Sequence, residues 1–151
     1  MSQILVTSVK DLMLRDLAKL RQEINEYQSE EAIWKLAGDV KNTAGNLCLH
    51  LCGNLQHFIG TVLGKSNYLR NRDAEFSLKN ISRETLVKEI DATVIAVGKT
   101  LSNLPPAVVE ETYPVDVFGN PMTTGYFLIH LAAHLDYHLG QVNYHRRLLK
   151  A

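Results

Sequence analysis

Three histidines, His130, His134 and His138, follow one another at steps of four residues. On an α-helix each such step turns the side chain by about 40°, so neighbours in the series share a face. Two imidazoles presented that way can bind one metal ion, as on metalloprotease helices. Those helices also place Glu beside the first His. H-L-A-A-H and H-L-D-Y-H do not, and Asp136 stands one position off. That departure argues against a protease of this kind.

A helical pair supplies two ligands, so a third has to come from another element. His50 and His57 lie on a stretch with little charge and are the candidates. They are seven residues apart, about 10 Å along a helix, so only one can reach a given ion. Asn46 and Asn54 stand four residues either side of His50. They form a small polar patch that would be costly to bury without partners. Three imidazoles on a zinc-like ion leave one coordination position open, which is the pattern of catalytic rather than structural sites. Nickel and iron(II) also accept imidazole nitrogen. An ion so held lowers the pKa of water or polarises a substrate oxygen or sulfur.

The same residues have plainer readings. His130 suits a buried polar network or an inert core position, and His57 a hydrogen-bonded place near a helix end. His145, beside Arg146 and Arg147, reads as solvated. Asn46, Asn54, Asp136 and Gln141 are open as groups that orient ligands or substrate. Cys48 and Cys52 point roughly away from His50, two residues being about 200° of helix, and read as small core residues.

Apolar periodicity supplies the elements that must carry these groups. Ile4, Leu5, Val9, Leu12, Met13, Leu17, Leu20, Ile24 and Tyr27 recur at helical spacing and predict a first helix over about 2–29. A second starts near Asn42 or Thr43, either a suitable N-cap, and ends near Gly64. It is short of charge, so it is expected to be buried or to face a partner chain. Its interior glycines Gly45, Gly53 and Gly60 point to close packing or to room for a ligand. Residues 65–80 read as a loop. Ser82 can cap a third helix, which Leu104-Pro105-Pro106 stops. Residues 105–121 form a long connection in which 112–120 could hold a short extended pair. The fourth helix starts at Thr123 or Thr124 and runs to Leu149. The expectation is an all-α four-helix bundle.

Composition agrees. The 151 residues suit one domain, with 46% apolar and 21% charged positions. Sixteen basic residues balance sixteen acidic ones, so the chain lacks the basic excess of a nucleic-acid or anionic-membrane binder. Two cysteines four apart cannot be a disulfide framework. No apolar run approaches the roughly 20 residues that span a bilayer. Met1 to Lys10 lack the pattern of a signal peptide, so a cytoplasmic protein is expected.

Two segments resemble the DinB-like superfamily, in particular its branch of small cytosolic proteins. Residues 46–55, N-L-C-L-H-L-C-G-N-L, are similar to the second-helix motif around that family's first metal histidine. Phe118-Gly119 and Met122-Thr123, followed by His134-Leu135-Asp136-Tyr137-His138-Leu139-Gly140-Gln141, resemble the fourth-helix signature H-x-x-x-H-x-G-Q. The resemblance implies an up-up-down-down bundle over residues 1–151 and a divalent metal ion, zinc or nickel. It implies His50, His134 and His138 as the ligands, leaving out His57, His130 and His145. Leu139 stands where relatives usually carry a charge, which makes that patch more apolar.

The resemblance also implies a homodimer and a small-molecule substrate. Some relatives are thiol S-transferases that join a low-molecular-weight thiol to an electrophile, and others are metal-dependent isomerases. The expected function is therefore a metal-dependent enzyme, a thiol S-transferase or a hydrolase of small electrophiles. The alternative is a non-catalytic metal-binding or stress-response interaction module, dimeric through the second helix. A di-iron carboxylate bundle is disfavoured, because the chain has no Glu-x-x-His pair.

Overall fold

The computed structural model describes residues 1–150. Helix α1 (Ser2–Glu26) buries Val6, Val9, Met13, Leu17, Leu20 and Ile24 on one stripe. It stops short of the expected end because Tyr27 leaves helical geometry, and Ser29 starts a new turn. The Ser29 hydroxyl accepts from the Ala32 N–H at 3.1 Å and caps α2 (Glu30–Ile33). Helix α3 (Ala44–Leu55) is capped by Thr43, whose hydroxyl accepts from the Asn46 N–H at 3.1 Å. Its continuation, Gln56–Leu63, widens into a π-helical segment. Gly64 closes it without left-handed geometry; the left-handed residue is Lys65. A side chain at Gly64 would collide with Thr100.

The expected loop at 65–80 is not all loop. Asn71 accepts from the Ala74 N–H at 3.0 Å and caps a short helix, α4 (Arg72–Ser77). Polar composition hid it, since a six-residue helix has no room for an apolar period. Ser82 caps α5 (Arg83–Asn103), and Thr123 caps α6 (Thr124–Leu149), as expected. A 3₁₀ turn, Pro106–Glu110, opens the connection between them. The extended pair expected within 112–120 reduces to one antiparallel bridge between Thr112 and Thr123.

The four long helices form the expected bundle. Helix α1 packs on α5 and α6, and α3 packs on the same two. Arg21–Asp91 at 2.9 Å and Lys10–Ser102 at 3.5 Å set α1 antiparallel to α5. Glu23 bonds Asn143 and Arg146, both at 2.7 Å, while Leu5 lies against Gly125, so α1 and α6 run the same way. His50 meets His134 and Phe58 meets Phe127, so α3 opposes α6. In chain order the helices therefore run up, down, down, up, not in the up-up-down-down order that the resemblance implies. The connections at 27–43 and 104–123 each return the chain at one end of the bundle. Only the segment after Gly64, which carries α4, crosses back along its length.

Candidate functional site

Helix α3 is buried almost all round, as its lack of charge implies, and it therefore has no free face for a partner chain. Its one polar row faces α4 and α6. His50 Nε2 lies 3.1 Å from His134 Nε2. The ring of His138 is centred 5.4 Å from that of His50 and 4.6 Å from that of His134. Each of the three offers one ring nitrogen to a group whose atoms all lie within 4.8 Å of one another. His50 is buried, and the other two are half-buried.

Two neighbours hold the Nδ1 atoms of His50 and His138. Glu75, on α4, accepts from His50 Nδ1 at 3.0 Å. The side-chain oxygen of Gln141 accepts from His138 Nδ1 at 2.6 Å. A neutral imidazole carries one N–H, so both rings are left with a bare Nε2. His134 Nδ1 is buried with no partner. Burial, then the neighbouring His138 and His50, lowers the pKa of His134 from 6.5 to about 4. Burial followed by His50 also holds His138 below the ordinary imidazole range, against the Gln141 hydrogen bond. Across the 3.1 Å between the two Nε2 atoms, the His134 Nε2–H then donates to the bare His50 Nε2. A divalent cation would take the place of that hydrogen, as imidazole binds metal through a deprotonated nitrogen. The three histidines therefore form a group that could hold one.

Glu75 is itself gripped by Arg70. Arg70 Nε donates to Oε2 and Nη2 to Oε1, both at 2.8 Å. Burial alone would raise the Glu75 carboxyl, but the Arg70 fork and the His50 bond outweigh it and hold it below the usual range. Neither Arg70 nor Glu75 was singled out by the sequence. Two oddities of α3 mark their place: a side chain at Gly53 would collide with the Glu75 carboxylate, and the buried Asn46 donates to the Glu75 and Leu78 carbonyls, both at 2.9 Å.

Residues 2–151 match the family model described as "Protein of unknown function (DUF1572)". The chain belongs to this family. The DUF1572 chain is also similar to a crystal structure of a DinB-like protein from Bacillus cereus ATCC 10987. The two share 18% identity over 89% of this chain and 86% of the other, with a TM-score of 0.71. That likeness shows the fold, and the fold is DinB-like, as the motifs in α3 and α6 imply. No curated protein matches the chain.

The remaining candidates of this DUF1572 chain separate by position. His130 stays outside the group and stacks on Phe127 at 5.8 Å between ring centres, with Phe118 at 4.9 Å. His57 also stays outside, its pKa lowered by burial and then by Arg70. Asp136 is exposed. Asn54 is buried with its side-chain oxygen unpartnered. Cys48 and Cys52 are core residues. His145 is not solvated but buried, with Nδ1 2.7 Å from the Tyr27 hydroxyl and Nε2 2.8 Å from the Lys35 carbonyl. Its face of α6 turns toward residues 27–35, while Arg146 pairs with Glu23 and Glu26 of α1 and Arg147 is exposed. No helix among the described residues is long and apolar enough to cross a membrane.

Proposed function

We propose that the chain, as one DinB-like unit, is a metal-dependent enzyme whose divalent ion, zinc or nickel, is held by His50, His134 and His138. The observation that carries this is the convergence of one ring nitrogen from each of His50, His134 and His138 within 4.8 Å, with His50 and His138 each held through Nδ1, by Glu75 and Gln141. Among the described residues no fourth His, Cys, Asp or Glu joins the group. Three protein ligands leave a position for a small molecule, whereas a structural site closes with four.

An ion there would supply Lewis acidity to a thiol or water taking that position. The substrate class is a low-molecular-weight thiol with a small electrophile, or an electrophile that is hydrolysed. Exposed Phe118 and half-buried His130, backed by the buried Phe127 and next to His134, offer an aromatic wall beside the group.

The protein is proposed to work in the cytoplasm as a homodimer, through α6 rather than α3. Tyr126, Ile129, Tyr137, Tyr144 and Leu148 are exposed along one side of α6. Spacings of three, four, seven and eight put them on a single stripe.

Elemental analysis of the purified protein tests the ligand set. One equivalent of metal is expected in the wild type and none in His134→Ala or His138→Ala. Unchanged metal in either variant overturns the assignment. Metal in the wild type with no metal-dependent turnover across a panel of thiols and electrophiles favours the non-catalytic metal-binding module instead.

A further inference from the structure

Helix α4 packs on α3. Four separate features hold it there around the Glu75–His50 pair. The Asn46 amide donates to the carbonyls of Glu75 and Leu78, bridging the last turn of α4. The Asn46 oxygen in turn accepts from the Thr43 hydroxyl at 2.7 Å and from Lys79 Nζ at 2.8 Å. Every polar position of this buried amide is thus used. Gly53 leaves the space that the Glu75 carboxylate fills. Arg70, just before α4, holds both carboxylate oxygens in a bidentate fork. The Phe76 ring lies 4.9 Å from the His50 ring and limits its rotation.

A carboxylate only accepts, and an arginine fork leaves it no freedom to turn. Arg70 Nη2 also approaches His50 Nδ1, at 3.5 Å, but the carboxylate stands closer, at 3.0 Å, and a hydrogen on Nδ1 satisfies it. Which ring nitrogen of a histidine is free is set by the bond that the other one makes. We propose that α4 is a positioning strap, with Glu75 and Arg70 as the positioning residues that fix the His50 tautomer and turn its bare Nε2 toward His134 and His138. The strap deepens the metal reading above and rests on it for its effect on affinity. The tautomer itself is a property of the metal-free chain.

Two measurements on the full-length protein separate these claims. In ¹⁵N-labelled metal-free protein, long-range ¹H–¹⁵N correlation spectra are expected to show His50 as the Nδ1–H form. In Glu75→Ala the signals should move to the Nε2–H form or to a mixture. In a Co(II) titration followed by visible absorption, Glu75→Ala should bind about 10- to 100-fold more weakly, with stoichiometry unchanged. Asn46→Ala, which leaves Glu75 in place but loosens α4, should show a smaller loss and serves if Glu75→Ala fails to fold. An unchanged His50 tautomer with unchanged Co(II) affinity overturns the strap. Absence of Co(II) uptake by the wild type overturns the metal reading instead, and the spectra still decide the tautomer.

Discussion

Gly53 and Glu75 fit together as a notch and its contents: a Cβ on the helix at Gly53 would occupy the position of the carboxylate. Gly→Ala inside a helix ordinarily stabilises by about 1 kcal/mol. At this position that gain opposes displacement of a carboxylate pinned by Arg70 and His50. Gly53→Ala is expected to leave the thermal midpoint within a few degrees of wild type while weakening Co(II) binding about tenfold or more. Full affinity in the alanine variant would show that the carboxylate can move without consequence.

His145 ties the end of α6 to the start of the bundle. Its Nε2–H donates to the Lys35 carbonyl, and its Nδ1 meets the Tyr27 hydroxyl, which also lies 3.2 Å from the Val142 carbonyl. Removing this buried ring leaves the Lys35 carbonyl unpaired, takes the shorter of two contacts from the Tyr27 hydroxyl and opens a cavity. His145→Ala should cost about 2–3 kcal/mol in urea unfolding and leave metal stoichiometry intact. A cost below about 0.5 kcal/mol would match a solvated side chain instead.

The pH dependence of the metal-free fold follows from His134. Its folded pKa, about 4, lies below its ordinary value of 6.5. Between those values the unfolded chain binds more protons than the native one, so acid favours unfolding. The contribution is whole above pH 6.5 and is lost progressively down to about pH 4. Urea midpoints measured from pH 7.5 to 4 should fall across that window, and His134→Gln should flatten part of the fall. Saturating metal should raise the midpoint at neutral pH, with a gain that shrinks in acid as protons compete for the same nitrogens. A midpoint that rises as pH falls would contradict the burial of a neutral imidazole here.

The long helices were legible because burial imposes a period on the chain. A helix with one face in a core must repeat apolar residues every three or four positions, and α1, α5 and α6 do. Helix α3, buried almost all round, showed instead as a capped stretch without charge. Thr43, Ser82 and Thr123 announced their helix starts for an equally local reason, since a cap bonds an N–H three residues away. The steps of four in α6 put His134 and His138 side by side by helix geometry alone.

Other features had no local cause. His145 looks solvated beside two arginines, yet its partners lie 110 and 118 residues away. The run of the helices depends on which connection crosses the bundle, and that is a matter of length and packing rather than pattern. Helix α4 holds through contacts with α3, so its own residues carry little periodic signal. Sequence alone supplied three histidines on two rods and a family likeness. The likeness pointed to His50 rather than His57, and the packing of α3 on α6 brings that ring to the α6 pair. Only the packing of α4 on α3 decided that a carboxylate from 25 residues downstream stands behind it. Side-chain convergence depends on how helices are rotated and shifted against one another, and those are degrees of freedom that no local period encodes.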